Sequence, residues 1–302
     1  MIALGIDGGA SSTRWLLTRA DGTVLASGTA GPISGHIFEP AARDAVFATL
    51  AAVAAAVRAH AAPDRVVAGV TGLSSGDDVA RQLGDAIAAR LAIAADRVRV
   101  LDDMHIAYRG SFAPGAGILV YAGTGSIAYH LTAEGRVERA GGHGFMIDDA
   151  GGGFWIGARA LRQVLRARED PGSPPPGALA QLIYRATGGP DWAAIRSFVY
   201  GGGRAAVASL APAVGEAVAR SDLDAVEIVN AAGSELAWLG EVMTRRVGRL
   251  PIALCGGATQ ACPTLYAAFA AALPDGLASR RATSEPVETA AQLARDAMME
   301  DR

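Results

Sequence analysis

Lysine is missing from this chain: all 27 basic residues are arginine. Several mechanisms go with it, because a Walker A loop sets a lysine on its phosphates and Schiff-base chemistry needs a primary amine. P-loop hydrolases, protein kinases and pyridoxal-phosphate enzymes are excluded. Cysteine is nearly absent too. Cys255 and Cys262 match no zinc, iron–sulfur or disulfide spacing, and a reducing cytoplasm is the expected compartment. Nor is there a surplus of positive charge. With 27 basic against 30 acidic residues the net charge is −3, which offers no basic field to nucleic acid or an anionic membrane. Neither is expected as a partner. Alanine-rich Leu50 to Ala62 looks apolar, but Arg58 and His60 interrupt it short of the ~20 residues of a membrane span. Met1 leads directly into a strand pattern, without the basic and apolar segments of a secretory signal. The expectation is a soluble protein with buried helices.

What the chain does have is glycine, in two segments that echo one another. Ile6-Asp7-Gly8-Gly9-Ala10-Ser11-Ser12-Thr13 continues through apolar Trp15 to Leu17, turns at Asp21-Gly22 and resumes at Val24-Leu25. Val120-Tyr121-Ala122-Gly123-Thr124-Gly125-Ser126 continues through Ile127 to Leu131, turns at Glu134-Gly135 and resumes at Val137. Both read as strand, glycine turn, strand, acidic-Gly turn, strand. Two bare turns with backbone N–H groups and hydroxyls facing outward are suited to gripping a phosphate chain. At 302 residues and 51% hydrophobic, the chain can fill two domains, one for each copy.

After the first hairpin, composition and punctuation predict a helix over 41–61, a strand over 66–70, a helix over 77–91 and a strand over 98–101 ending at Asp102-Asp103. The second half repeats the opening with strands near 117–121, 127–131 and 136–139. Helices follow over 154–168, 178–187, 205–219 and from Ser221, read as an N-cap, to Arg246. A strand at Ile252 to Cys255 and a helix from Thr259 close that half. Pro171 to Pro176 reads as a surface loop, and a last helix covers 285–299. Helices alternating with strands imply right-handed crossovers in mixed sheets.

Gly123-Thr124-Gly125-Ser126-Ile127-Ala128 fits the dinucleotide fingerprint, yet that fingerprint opens a helix and this segment continues like a hairpin. Nicotinamide or flavin dinucleotide binding is disfavoured; a purely structural glycine turn remains open. Asp7, at a strand end beside Gly8-Gly9, could hold Mg²⁺ against nucleotide phosphates or serve only as a turn former. Asp102-Asp103 stands at the end of another strand, where ligands of open sheets gather. A carboxylate there could take the proton of an attacking hydroxyl, or simply cap a helix before Met104. Gly141-Gly142-His143-Gly144 and Asp148 to Trp155 are rich in glycine, letting backbone approach a ligand, with the acidic pair able to bind hydroxyls. Cys255-Gly256-Gly257-Ala258 would leave bare backbone for a flat purine.

In this order the motifs resemble the sugar kinase, Hsp70 and actin superfamily, and within it the BadF/BadG/BcrA/BcrD-type ATPases that include N-acetylglucosamine and glucosamine kinases. Gly5 to Gly9 with Ser11 to Arg14 resembles the first phosphate motif, and Ala122 to Ser126 the second. Asp103, with Ala107 and Gly110 behind it, is similar to the family's Asn-Asp-Ala segment, whose Asp is the catalytic base. Asp149 to Gly157 resembles Asp-Glu-Gly-Ser-Gly-Tyr-Trp-Ile-Gly, in which the Asp contacts sugar. Leu254 to Gly257 resembles the adenosine motif. The resemblance implies two ribonuclease-H-like domains of an actin-like ATPase closing over a cleft, residues 1–108 plus 285–302 and residues 109–284. It implies ATP with Mg²⁺ at Asp7, and phosphate contacts from Gly8, Gly9, Ser11, Ser12, Thr13, Gly123, Thr124, Gly125 and Ser126. Gly256 and Gly257 would lie at the nucleotide base. Asp103, Ser34, Gly125, Gly142 and Asp149 would meet an amino-sugar substrate, N-acetylglucosamine foremost, in a homodimeric cytoplasmic kinase. Two positions depart from the pattern: Ala150 replaces the family's Glu, and Ser34 replaces an Asn that bonds substrate. Two further readings accompany this one: an activator ATPase with an iron–sulfur cluster, for which two cysteines are too few ligands, and a binding protein without turnover.

Overall fold

The computed structural model describes residues 1–35, 37, 39–73, 78–172 and 176–300. The expected helix start at Asp77 and the centre of the loop over 171–176 lie outside them. The chain divides into two compact units, Met1–Ser111 with Ser284–Arg302, and Phe112–Thr283. The division falls after Ser111 because α3 (Asp103–Arg109) packs on the last helix, α11 (Pro286–Glu300), and Gly110 sits against Ser284 and Thr289.

The first unit is one sheet of β1 (Ile2–Gly8), β2 (Thr13–Arg19), β3 (Val24–Ala30), β4 (Arg65–Val70) and β5 (Val98–Asp102), in the order β3-β2-β1-β4-β5. The first three strands are an antiparallel meander; β1, β4 and β5 are parallel. Side chains alternate across a strand, so each face collects its own core. Leu4, Ile6, Val66, Ala68 and Val70 pack with the buried stripes of α1 (Pro40–Arg58) and α2 (Asp78–Leu91), while Ala3, Val67 and Leu101 meet Ile106 of α3 and Ala290, Ala294 and Met298 of α11. Each aliphatic side chain taken fully out of water contributes about 1.5–3 kcal/mol. α11 is drawn tight to β1 at Gly5, where a β-carbon would come within 2.6 Å of the Val287 carbonyl oxygen. This docking fixes a helix whose sequence pattern left its partner open.

By length and composition Pro40–Arg58 would pass as a membrane span, contrary to the expectation that no apolar stretch comes near that length. The excess of alanine accounts for it. Its Val46, Leu50, Val53 and Val57 are buried in the first unit's core.

The second unit repeats the arrangement with β6 (Ile118–Ala122), β7 (Ser126–Leu131), β8 (Val137–Gly141), β9 (Ile252–Cys255) and β10 (Ser279–Arg281), in the order β10-β9-β6-β7-β8. Read outward from the meander, the two sheets share one connectivity. Both are mixed five-stranded sheets covered by helices. Its helices are α4 (Gly153–Glu169), α5 (Ala178–Thr187), α6 (Trp192–Ala208), α7 (Ala211–Ala219), α8 (Leu223–Val247), α9 (Gly257–Ala261) and α10 (Leu265–Ala272).

Three expectations change here. The helix over 205–219 is two helices that meet at Ser209-Leu210, and α6 begins much earlier, at Trp192, capped by Asp191, whose carboxylate accepts from Ala194 N–H at 2.9 Å. Gly201-Gly202-Gly203 disguised it, and Gly203 is non-helical. The cap of α8 is Asp222 instead of Ser221: its Oδ1 accepts from Ala225 N–H at 3.2 Å and its Oδ2 from Leu179 N–H at 2.8 Å. The three-residue edge strand β10 carries too short and polar a pattern to be foreseen.

Candidate functional site

In the first unit the carboxyl ends of the parallel strands bring Asp7, Thr71 and Asp103 together. Register places Asp7 opposite Gly69 and Val70 opposite Asp102, so Thr71 and Asp103 are each the next residue beyond the paired strand ends. Asp102 caps α3, accepting from His105 N–H at 2.8 Å. Asp103 is therefore the first helical residue, partly buried. Burial pushes its carboxyl above the ordinary aspartate value, helped by the charges of Asp102 and Asp7 and opposed by hydrogen bonds from the Thr71 hydroxyl and Met104 N–H. A carboxylate held up in this way is a better proton acceptor than an ordinary aspartate, as general-base work requires.

Asp7 is one-fifth exposed and paired with Arg14: its Oδ2 accepts from Nη2 at 2.9 Å and Nε at 3.3 Å, while Arg14 Nη1 reaches Glu285 at 2.7 Å. Partial burial works to lower the Arg14 pKa; the hydrogen bonds to the two carboxylates outweigh it and raise it. Among the described residues no three metal-ligating side chains cluster. That donor set suits Mg²⁺, which takes one or two carboxylates and fills its shell with water and phosphate oxygens; Asp7 Oδ1 lies outside the Arg14 pair.

The first glycine turn is closed by Gly9 N–H donating to Ser12 O at 3.0 Å, with Ile33 N–H donating to Gly9 O. Among the described residues the N–H groups of Ala10, Ser11 and Ser12 have no acceptor, and the hydroxyls of Ser11 and Ser12 are exposed. Thr13 is fully buried, and among the described residues its Oγ1 has no partner. Gly8 N–H and C=O belong to the sheet, with its carbonyl accepting from Thr71 N–H at 2.9 Å. Ser34 forms a parallel bridge with Thr71, and Gly35 N–H donates to Thr71 O. Ser34 thereby stands beside the residue that bonds Asp103.

In the second unit, the turn Gly123 to Gly125 is locked to the start of α4. Gly153 N–H donates to Gly123 O at 2.8 Å and Phe154 N–H to Thr124 O at 2.9 Å. Among the described residues Thr124 and Gly125 N–H have no acceptor. The Ser126 hydroxyl is committed to Ala150 O at 2.7 Å, so its part is to hold the turn. Gly142 N–H is likewise engaged, by Ser126 O. Asp149 is buried with φ +62°, and its Oδ1 accepts from Gly144 N–H at 3.3 Å. Gly256 has φ +106° and lies on the end of β6, where a β-carbon would meet the Ala122 backbone; a β-carbon on Gly257 would meet nothing within 4 Å. Within the second unit, the turn at Gly256-Gly257 therefore lies against the end of β6, with open space at Gly257.

Two residues escaped the sequence reading. Thr71 ends a strand in Thr-Gly, the same edge position that singled out Asp7 and Asp103, and that rule could have found it. Arg14 was seen only as part of a motif; its pairing with Asp7 follows from cross-strand register.

Duplicated sheets of this connectivity, with carboxylates at one strand edge and bare glycine turns, define the two-domain actin-like ATPase fold. A solved chain from Chromobacterium violaceum, described provisionally as an N-acetylglucosamine kinase, matches with a TM-score of 0.75 and 28% identity over 97% of this chain and 98% of its own. A glucokinase of the ROK family from Streptomyces griseus, solved with glucose and AMPPNP, shares the fold at a TM-score of 0.66 and 13% identity, over 98% and 100%. The N-acetylmuramic acid/N-acetylglucosamine kinase of Clostridium acetobutylicum is 41% identical over 71 residues, spanning 24% of this chain and 23% of that kinase. The chain thus matches that relative over about a quarter of its length. The pattern of the BadF/BadG/BcrA/BcrD ATPase family matches residues 4–273, and the chain belongs to that family.

Proposed function

We propose that the protein is an ATP-dependent kinase that phosphorylates a hydroxyl of an amino sugar, with N-acetylglucosamine the first candidate. The observation that carries this reading is Asp103: a carboxylate raised by burial, bonded by Thr71 and neighboured by Asp7 at one strand edge. The kinase names of the relatives support the substrate class.

In this mechanism Asp103 accepts the proton of the sugar hydroxyl as its oxygen attacks the γ-phosphorus of ATP and the bond to the ADP oxygen breaks. Thr71 holds the Asp103 carboxylate in orientation, and Ser34 and Asp149 bond substrate hydroxyls. The open N–H groups of Ala10, Ser11, Ser12, Thr124 and Gly125, with Gly8, Gly9, Thr13 and Gly123 shaping their turns, take phosphate oxygens, and the base lies along Gly256 and Gly257. Asp7 would hold Mg²⁺, which when bound neutralises phosphate charge. With little covalent work for the protein, rate comes from positioning and charge stabilisation.

Ala150 removes a hydrogen-bonding group that the family places near sugar and Ser34 exchanges an amide for a shorter hydroxyl, and such changes can shift discrimination between sugars by orders of magnitude. Glucosamine or another hexose is the alternative substrate. The test is ATP consumption across a panel of N-acetylated, amino and plain hexoses. Sugar-dependent ADP release supports the reading, and none with any sugar overturns it.

A further inference from the structure

Arginines cluster at the starts of strands β4 and β5, where a sheet face covered by helices would carry apolar side chains. Arg65 opens β4, and Arg97 and Arg99 flank the start of β5, with Val67 opposite Arg99 in register. α3 runs back alongside β5 and adds His105 and Arg109. These five residues line one cavity of about 220 Å³ within the first unit, walled on its remaining side by Leu293, Asp296 and Glu300 of α11. At ~30 Å³ per water the space has room for a phosphate and a short carbon chain.

Three observations make it an anion site in place of a solvated edge. Among the described residues Arg109 Nε is buried without a partner, a cationic donor left unmet although buried donors are almost always satisfied. His105 is buried, and its imidazole is held below the ordinary histidine range, first by burial, then by Arg99 and Arg109, against the opposing charge of Asp102. Arg99 and Arg109 are thus both near enough for their charges to act on His105. Among the described residues the carboxylates of the lining are Asp96, Asp296 and Glu300, and Asp296 already accepts from Gln292 at 2.6 Å.

We propose that this cavity binds a small phosphomonoester, its phosphate held by the forks of Arg99 and Arg109, at a site separate from the strand edge that carries Asp103. Guanidinium planes match phosphate oxygens in pairs. Binding does not depend on the kinase reading, although the ligand would touch α3, the helix that Asp103 begins.

The test is calorimetric titration of the full chain with glycerol 3-phosphate, inorganic phosphate and glycerol, with ADP saturating so that nucleotide turns do not compete. Binding of glycerol 3-phosphate is expected, weakened about tenfold or more in Arg99→Gln, retained in Asp103→Asn and absent with glycerol. Arg99 is exposed, so that variant should fold normally. Inorganic phosphate binding as tightly would assign the site to phosphate itself. No binding of either anion, or affinity unchanged in both Arg99→Gln and Arg109→Gln, overturns the proposal.

Discussion

The Asp149 carboxylate occupies the space that a side chain on Gly125 would need: a β-carbon there would stand 2.6 Å from the carboxyl carbon of Asp149. The Gly123 to Gly125 turn and Asp149 are thus one packed unit. Asp149 itself holds a positive φ, with local bonds from Gly144 N–H to its carboxylate and from Gly152 N–H to its carbonyl.

Gly125→Ala should therefore displace both at once. A stability loss of about 1–3 kcal/mol is expected from the forced contact, measured by urea unfolding. Apparent affinities for nucleotide and for sugar should fall together. A variant that lost only one would separate two groups that the packing joins.

The pH dependence follows from Asp103. Its carboxyl is raised, so the base is protonated and inactive at pH values where an ordinary aspartate still works, and kcat/KM should fall as pH drops through that raised value. The Thr71 hydroxyl acts in the opposite direction. Removing it in Thr71→Val should move the acidic limb to still higher pH, a shift that a merely structural threonine would not cause.

Burial pushes the thiols of Cys255 and Cys262 up to about 12, leaving them neutral and slow to react at pH 7. Native protein should react with a disulfide probe far more slowly than the urea-unfolded chain, and purified protein should contain no iron. A stoichiometric iron–sulfur chromophore would favour the activator reading instead.

The repeated hairpin was legible because its signals are local: an apolar run, bare turn residues and an acidic-Gly reversal, in both halves. Asp7 and Asp103 were legible through their place at strand ends. What stayed hidden depends on packing. α6 runs through three glycines that weaken any helical pattern, and it is held by the packing of Ile195 and Val207 in the core. Ser221 and Asp222 are both good caps by type; the choice falls to Asp222 because its second oxygen also serves Leu179, a residue distant in sequence. The bond from Thr71 to Asp103 joins two crossovers and leaves no mark in either segment. The arginines of β4 and β5 are scattered in sequence and become a cluster only through strand register.

The most direct measurement compares Asp103→Asn with the native chain in sugar-dependent phosphate transfer, nucleotide binding and thermal unfolding at neutral pH. A raised carboxyl binds its proton more tightly folded than unfolded, so its contribution is present at low pH and is lost as pH rises through the folded value. The neutral Asn avoids that loss. The account predicts that transfer nearly vanishes, ATP still binds, and Tm is unchanged or higher. Undiminished transfer by a folded, ATP-binding Asp103→Asn protein would contradict it.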